Sequence, residues 1–268
     1  MIHHIGLLTV RNEADVLAEA LAWHTVWFRN IVAIDGSTDG GRDMLNACPY
    51  VVKVFDDADV VPRYGRNGRF CDACRQPALD FIRDRYGVEN VWVTLLHADE
   101  FWWDDPKRMA EQAHADGDTC VLWGEYRFFL HTSDRGRLDP ALPVVQRLTW
   151  YAGPFFEWRQ FRLPEHQLYI PGTDHRTLPT GMPPRRWPRV PRYRHYPYRS
   201  EAQAAAAYVD KVAARYWQPD HAWLAGGDPY RDSLPRPRDP GIAAWQNVAR
   251  FDGTLPDPVS FIPHWFSG

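Results

Sequence analysis

Residues 31–41 read IVAIDGSTDGG, and this stretch decides the predicted fold of the chain. Its first four residues are apolar, which predicts a short strand buried on both faces. The acidic, hydroxyl and glycine residues that follow predict a tight loop, and residues 42–47 then have the pattern of a short helix. A buried strand that leads through a polar loop into a helix is the repeating unit of α/β proteins.

The same unit recurs through the first hundred residues. Strands are predicted at 5–10, 31–34, 51–55 and 91–96, and helices at 14–28, 42–47 and 71–86. Asn12 is the predicted N-cap of the first helix. Because right-handed βαβ units place successive strands in parallel, we predict an α/β fold with a mainly parallel sheet flanked by helices.

Polar clusters follow these strands at their carboxyl ends. They occupy residues 11–13, 35–39, 56–59 and 97–100. Ligands of open parallel sheets bind beyond the carboxyl ends of the strands. The four clusters therefore predict a ligand site at one edge of the sheet.

The pattern changes after residue 118. Further strands are predicted at 119–123 and 125–130, and residues 134–194 are rich in proline, arginine and aromatic residues, which favours strands and long loops. A capping box at 200–203 begins a predicted helix that ends near Trp217. We therefore divide one compact domain into residues 1–118, residues 119–217 and a proline-rich ordered tail, 218–268.

Charge and hydropathy exclude several classes of protein. The 268 residues carry a formal net charge of −3, so no global basic field favours nucleic acid or a membrane surface. No stretch approaches the roughly 18 apolar residues of a membrane-spanning helix, and the N-terminus has no cationic leader. We expect a cytoplasmic protein.

Two of the four cysteines form a C-x-x-C pair, Cys71 and Cys74, which is a pattern of zinc and redox sites. No second pair follows at zinc spacing, and the two cysteines lie in a stretch with helical periodicity. We predict reduced thiols partly packed in the core.

Asp35 closes the second predicted strand. Its carboxylate could accept hydrogen bonds from a ribose hydroxyl or a nucleobase N–H, and Gly36 would let the backbone approach such a ligand closely. The alternative is a turn that caps the next helix, because Ser-Thr-Asp begins many helices.

His97 and Asp99 follow the fourth predicted strand. Residues two apart on an extended segment point the same way, so both side chains could face one divalent cation, with a nucleotide diphosphate supplying further oxygen ligands. The alternative is a solvated acidic turn that closes the strand.

Four motifs in this order resemble the family 2 glycosyltransferases. The matching residues are RNEA at 11–14, DGSTDG at 35–40, HADEF at 97–101 and HYPYRS at 195–200, followed by Lys211. The resemblance implies a GT-A fold and transfer of a sugar, in the manner of a hexosyltransferase, from a nucleotide-diphosphate sugar, with a UDP-sugar favoured. Residues 1–118 would then bind the donor and residues 119–217 the acceptor.

The resemblance, together with the strand-end cluster at 56–59, also gives a set of site residues. The candidates for the donor nucleotide are Thr9, Arg11, Glu13, Asp35, Asp56, Arg199 and Lys211. The candidate metal ligands are Asp99, His97 and His195. His97 stands where the family has an aspartate, and imidazole suits Mn²⁺ better than Mg²⁺, so Mn²⁺ is the favoured ion and Mg²⁺ the alternative.

An inverting glycosyltransferase needs a carboxylate that takes the proton from the acceptor hydroxyl. Glu157 and Asp174 are the candidates, with Glu125 as a further carboxylate in the acceptor region. Each is equally consistent with an ordinary ion pair, and a retaining enzyme would not need such a base.

The acceptor is left open by the sequence. A small molecule or a glycan is expected, while the arginine-rich and aromatic stretch 183–199 also suits a hydroxylated base in DNA. Two other classes of protein remain as alternatives. A nucleotidyltransferase should carry a glycine-rich loop after the first strand, which this chain lacks, and a non-catalytic nucleotide-binding or nucleic-acid-binding module needs no metal.

Overall fold

The computed structural model describes residues 2–66, 68–165, 185–206 and 248–258. The chain divides into two compact units. The first comprises Met1–Trp123 and Glu157–Pro191, and the second comprises Gly124–Phe156 and Arg192–Gly268. This division differs from the one drawn at residue 118, since residues 157–191 belong to the first unit.

The first unit contains four parallel strands in the order β3-β2-β1-β4. Their bounds are β1 His3–Val10, β2 Ile31–Asp35, β3 Val51–Asp56 and β4 Val91–His97. A further strand, β7 Trp150–Arg162, pairs with β4 in the antiparallel direction through its last residues, 160–162. The predicted mainly parallel α/β sheet is confirmed.

Helices connect these strands. They are α1 Ala14–His24, α2 Gly41–Ala47, α3 Asp57–Tyr64, α4 Gln76–Tyr86 and α5 Pro106–Ala115, with a 3-10 turn at Asp72–Arg75 and a short strand, β5, at Glu100–Trp102. The prediction missed α3 and α5. It also extended the first helix to Phe28, which lies beyond the end of α1 but is still fully buried.

The predicted N-cap of α1 is wrong. Asn12 has a left-handed backbone with φ of 54°, and Glu13 takes the N-cap position without a side-chain hydrogen bond. The first amide of the helix, Ala14 N, instead donates to Asp39 Oδ2 at 2.9 Å. The Asp39 carboxylate, from the neighbouring loop, thus accepts a hydrogen bond that the side chain of an N-cap residue normally accepts.

One face of this sheet packs against α3, the 3-10 turn and α4. The buried cluster there includes Leu7, Val32, Leu79, Ile82 and Val93. Cys71 and Cys74 belong to the same cluster as free, buried thiols, and burial raises the pKa of Cys74 to about 11. The predicted packing of the two thiols in the core is confirmed.

A chain of buried polar side chains also crosses the first unit. Thr94 Oγ1 contacts His4 Nε2 at 2.7 Å and accepts from Gln160 Nε2 at 2.9 Å. Gln160 in turn accepts from Trp123 Nε1 at 3.0 Å and donates to the carbonyl of Pro106 at 2.8 Å. These bonds satisfy polar groups that would otherwise be costly to bury, and they join β1, β4 and β7.

The second unit contains the later part of β6 Cys120–Phe129, the earlier part of β7, the strands β8 Arg192–His195 and β9 Val248–Arg250, and a short helix, α6 Val144–Arg147. The unit boundary falls within β6 and within β7. Strands β6 and β8 are parallel, while β7 and β9 are antiparallel. The two strands predicted at 119–123 and 125–130 are one continuous strand, β6.

Residues 201–206 begin the helix predicted from the capping box, and Gln203 N donates to Ser200 Oγ at 3.1 Å as that motif requires. The rest of that helix, the tail apart from residues 248–258, and the loop residues 166–184 lie outside the described residues. Within the described part of the chain, no helix is both long enough and apolar enough to cross a bilayer.

Candidate functional site

The carboxyl ends of the four parallel strands meet at one edge of the first unit. Their register pairs Thr9 with His97, Val10 with Asp35, and Asp35 with Asp56. The predicted convergence of the strand-end clusters is therefore confirmed. Thr9 lies within this edge, and its hydroxyl donates to the carbonyl of Leu96 at 3.4 Å.

The two loops that follow β1 and β2 are bonded to each other. Asn12 Oδ1 accepts from Thr38 N at 2.8 Å and from Thr38 Oγ1 at 3.2 Å, while Asn12 N donates to Ser37 Oγ at 3.1 Å. Asp39 closes the second loop by accepting from Gly41 N at 3.1 Å. These bonds hold the two loops together.

Asp35 is fully buried, and both of its carboxylate oxygens are engaged. Oδ1 accepts from Ser37 N at 3.1 Å, and Oδ2 accepts from Arg42 Nε. Arg42 also bonds the carbonyl of Asp35 at 2.9 Å and Asp56 Oδ2 at 3.1 Å. Arg42 and Asp56, with 34% and 43% of their side chains exposed, are the partners in this triad that a ligand can reach.

Asp57 covers the turn after β2. A Cβ at Gly36 would overlap the Asp57 carboxylate, so a larger residue there would require this side chain to move. Burial raises the pKa of Asp57, and Arg11 Nη1, 3.8 Å from Asp57 Oδ2, acts in the opposite direction. Arg11 keeps 60% of its side chain exposed and is a second cation at this edge.

His97, Asp99 and Glu100 form a group that could hold a metal ion. Each offers one ligand atom, and the three atoms lie within 4.8 Å of one another. An imidazole and two carboxylates together form a donor set that fits a divalent cation. Glu100 is a candidate ligand that the sequence analysis did not assign.

His97 is held on both sides by polar groups. Its Nδ1 lies 3.0 Å from Glu100 Oε1, and its Nε2 lies 3.4 Å from Arg75 Nη2. Because a guanidinium can only donate, Nε2 is the nitrogen that accepts from Arg75, and Nδ1 faces the Glu100 carboxylate. Nδ1 is thus the ring nitrogen next to the carboxylates of the candidate metal group. Arg75 is held in place by an ion pair with Asp72.

Arg159 links this group to Glu157. Its Nη2 contacts Glu100 Oε1 and also Glu157 Oε2. All three side chains are almost completely buried. Glu157, a base candidate from the sequence, is thus an ion-pair partner two residues from Arg159 on the same face of β7.

The second unit contains a different ionic cluster around Glu125. This carboxylate is fully buried, with His195 Nδ1 at 2.5 Å and Arg127 as a second partner. Burial alone would raise the pKa of Glu125, but the charges of Arg127 and His195 and their hydrogen bonds hold it well below its usual range. His195 therefore has Nδ1 engaged by a carboxylate, an arrangement that fixes the orientation of the ring.

Arg199 also lies in the second unit. It is 1% exposed, and its guanidinium donates to the carbonyl of Tyr196 at 3.1 Å. The remaining predicted site residues, Asp174 and Lys211, lie outside the described residues.

Sequence reasoning missed Arg42, Arg75 and Arg159. Arg42 had a local signal, because it follows the DGSTDG loop by two residues in the first turn of a helix. Arg159 had a weaker one, since Glu157 and Arg159 are spaced as same-face neighbours on a strand. Nothing in the sequence linked Arg159 to Glu100 or Arg75 to His97.

No family model and no curated protein matches this chain. Among solved structures, matches are found in the nucleotidyltransferase and glycosyltransferase classes.

One match is a putative glucose-1-phosphate thymidylyltransferase from Bacillus anthracis in complex with a sucrose. The two sequences are 13% identical, the alignment covers 48% of this chain and 59% of that chain, and the TM-score is 0.31. Another match is mouse xyloside xylosyltransferase 1 in its apo form. The two sequences are 13% identical, the alignment covers 46% of this chain and 53% of that chain, and the TM-score is 0.26. The chain thus spans between half and three fifths of these structures, and a likeness at this level carries no inference about activity.

Proposed function

We propose that this protein is a glycosyltransferase of GT-A type that moves a sugar from a nucleotide-diphosphate sugar, with a UDP-sugar favoured, to an acceptor hydroxyl with the help of Mn²⁺. One observation carries the proposal. The strand-end clusters converge on one edge of a parallel sheet, and at that edge polar groups from three strand ends lie beside a candidate metal group. This is the position at which ligands bind to such sheets.

The donor nucleotide would bind at the edge formed by β1, β2 and β3. Asp56, Arg42 and Arg11 offer exposed polar atoms there, while buried Asp35 holds Arg42 in place. Thr9 and Glu13 lie along the same strand end and its loop. A planar guanidinium such as Arg42 suits diphosphate or ribose oxygens because it donates several bonds in a fixed geometry.

The diphosphate would bind beside His97, Asp99 and Glu100. A bound divalent cation supplies positive charge that stabilises the leaving diphosphate. Asp99 and His97 would hold that ion, and His195, Arg199 and Lys211 remain candidates for the ion and the phosphates on the basis of the family resemblance.

The acceptor side is assigned less fully. Glu157 lies in the first unit and is held by Arg159, so it would need to exchange this ion pair before accepting a proton. Asp174 remains the other candidate base. A small molecule or a glycan is the proposed acceptor, and a hydroxylated base in DNA is the lesser candidate.

Binding of UDP and Mn²⁺ together tests the proposal. We expect the pair to raise the melting temperature more than either alone, since a ligand that binds the folded state stabilises it by mass action. Asp99→Asn should abolish the metal-dependent part of the shift. Asp84→Asn, which removes an exposed carboxylate on α4, is the matched control and should behave as the wild type.

The activity itself is tested by a donor-hydrolysis screen over nucleotide sugars with Mn²⁺ or Mg²⁺, with and without duplex DNA that carries hydroxylated bases. Release of nucleoside diphosphate that depends on Asp99 supports the proposal. Nucleotide binding that needs no metal and is unchanged by Asp99→Asn would favour a non-catalytic binding module. No response to any nucleoside diphosphate with any divalent ion would refute the proposed function.

A further inference from the structure

Arg159 is shared between two buried carboxylates of the first unit. Its Nη2 contacts Glu100 Oε1 and Glu157 Oε2, and 5% of its side chain is exposed. Glu100 is fully buried, and 9% of the Glu157 side chain is exposed. Carboxylates taken out of water need a nearby positive charge, and here one guanidinium nitrogen serves both.

The same oxygen of Glu100 belongs to the candidate metal group. Glu100 Oε1 lies 3.0 Å from His97 Nδ1, and the ligand atoms of Glu100, His97 and Asp99 are within 4.8 Å of one another. A cation bound to this group would therefore meet Glu100 where Arg159 already contacts it. Two positive charges that share a carboxylate in a poorly solvated site repel each other, so each weakens the binding of the other.

We propose that Arg159 is a positioning residue that competes with the divalent cation for Glu100 and thereby sets the metal affinity of the site, with Glu157 as the carboxylate to which Arg159 shifts when the metal binds. This inference rests on the proposed function, because it assumes that the His97, Asp99 and Glu100 group holds a metal. It gives Arg159 and Glu157 a function that does not follow from the HADEF motif at 97–101.

Competition makes opposite predictions for the two partners of the ion pair. Arg159→Met removes the competing charge and keeps a similar side-chain volume, so the Mn²⁺ affinity of the group should rise about tenfold. Glu157→Gln removes the alternative partner of Arg159, which then stays on Glu100, so the Mn²⁺ affinity should fall by a similar factor. A purely structural role for Arg159 predicts that both variants loosen the site and lower the affinity together.

The experiment measures Mn²⁺ binding to the full-length protein without nucleotide, by electron paramagnetic resonance of free Mn²⁺ and by calorimetry. Wild type, Arg159→Met, Glu157→Gln and Arg159→Lys are compared, and circular dichroism verifies that each is folded. Arg159→Lys keeps the charge and should stay within about threefold of the wild type.

Tighter binding by Arg159→Met together with weaker binding by Glu157→Gln supports the inference. Equal or weaker binding by a folded Arg159→Met overturns it and leaves the metal site itself intact. If Arg159→Met does not fold, Glu157→Gln decides, because unchanged or tighter binding by that variant also overturns the inference. Absence of Mn²⁺ binding by the wild type, with or without UDP, overturns the metal part of the proposed function as well.

Discussion

Asp35 and Arg42 form an ion pair at the carboxyl end of β2, in which the carboxylate is completely buried and the guanidinium remains one-third exposed. Arg42 reaches on to Asp56 at the end of β3, so one side chain connects two neighbouring strand ends. The pair places a fixed positive group where the β2–α2 loop, the DGSTDG motif, faces solvent. The first prediction follows from that position.

Replacement of Arg42 by alanine should weaken UDP binding about tenfold, because a hydrogen bond to a charged group contributes roughly 1.5 kcal/mol. Arg42→Lys should recover only part of the loss, since an ammonium cannot reproduce the two-nitrogen contact with Asp35. Isothermal titration calorimetry measures both. Arg29→Ala is the control, because Arg29 is exposed before the start of β2 and contacts Tyr50; an equal loss in that variant would contradict the assignment.

Replacement of Gly36 by alanine is predicted to destabilise the protein less when Asp57 is shortened as well. Gly36→Ala should lower the free energy of unfolding by about 1–3 kcal/mol, since the new methyl group overlaps the Asp57 carboxylate. Asp57→Ala in the same chain removes that carboxylate and should restore most of the loss. Urea unfolding of the two single variants and the double variant measures the coupling, and additive effects would show that the two residues do not interact.

Stability should fall in acid partly through His4. Burial, with the nearby charge of Lys107, lowers the pKa of His4 to about 3. The unfolded chain therefore binds a proton near pH 6.5 that the folded chain does not, so the contribution of His4 is complete above pH 6.5 and is lost as the pH falls towards 3. His4→Gln should reduce the slope of unfolding free energy against pH by up to about 1.4 kcal/mol per unit in this window. Identical slopes in the wild type and the variant would be inconsistent with this origin.

Glu125 is predicted to be essential for the stability of the second unit. Glu125→Gln leaves Arg127 and His195 beside a neutral amide in a buried place, and breaking a buried ion pair costs about 3 kcal/mol. Asp80→Asn is the matched control, because Asp80 pairs with Arg83 at the surface, where such pairs contribute little. Thermal unfolding followed by circular dichroism compares the two variants, and similar melting temperatures would disprove the prediction.

The four parallel strands could be predicted from sequence because each is a short apolar run between polar loops, and such runs are local features. The edge that carries the candidate site follows from the same reasoning, since right-handed crossovers leave all parallel strands ending on one side. Helix α3 was missed because its first turn, Asp57–Ala58–Asp59, reads as an acidic loop. In the structure Asp56 caps that helix by accepting from Ala58 N at 2.9 Å.

The sequence by itself thus determined the α/β alternation, the position of the strand ends and the presence of Asp35, Asp56, His97 and Asp99 at those ends. The tertiary structure alone decided which hydrogen-bond donors and which cations contact the carboxylates of the site. Asp39 caps a helix that begins 25 residues earlier, and Arg159 reaches Glu100 across 59 residues of chain. Local propensity has no information about such pairs, because only folding brings their partners together from distant parts of the chain. For Arg159 and Glu100, packing removes both side chains from water, and each then needs a partner of opposite charge.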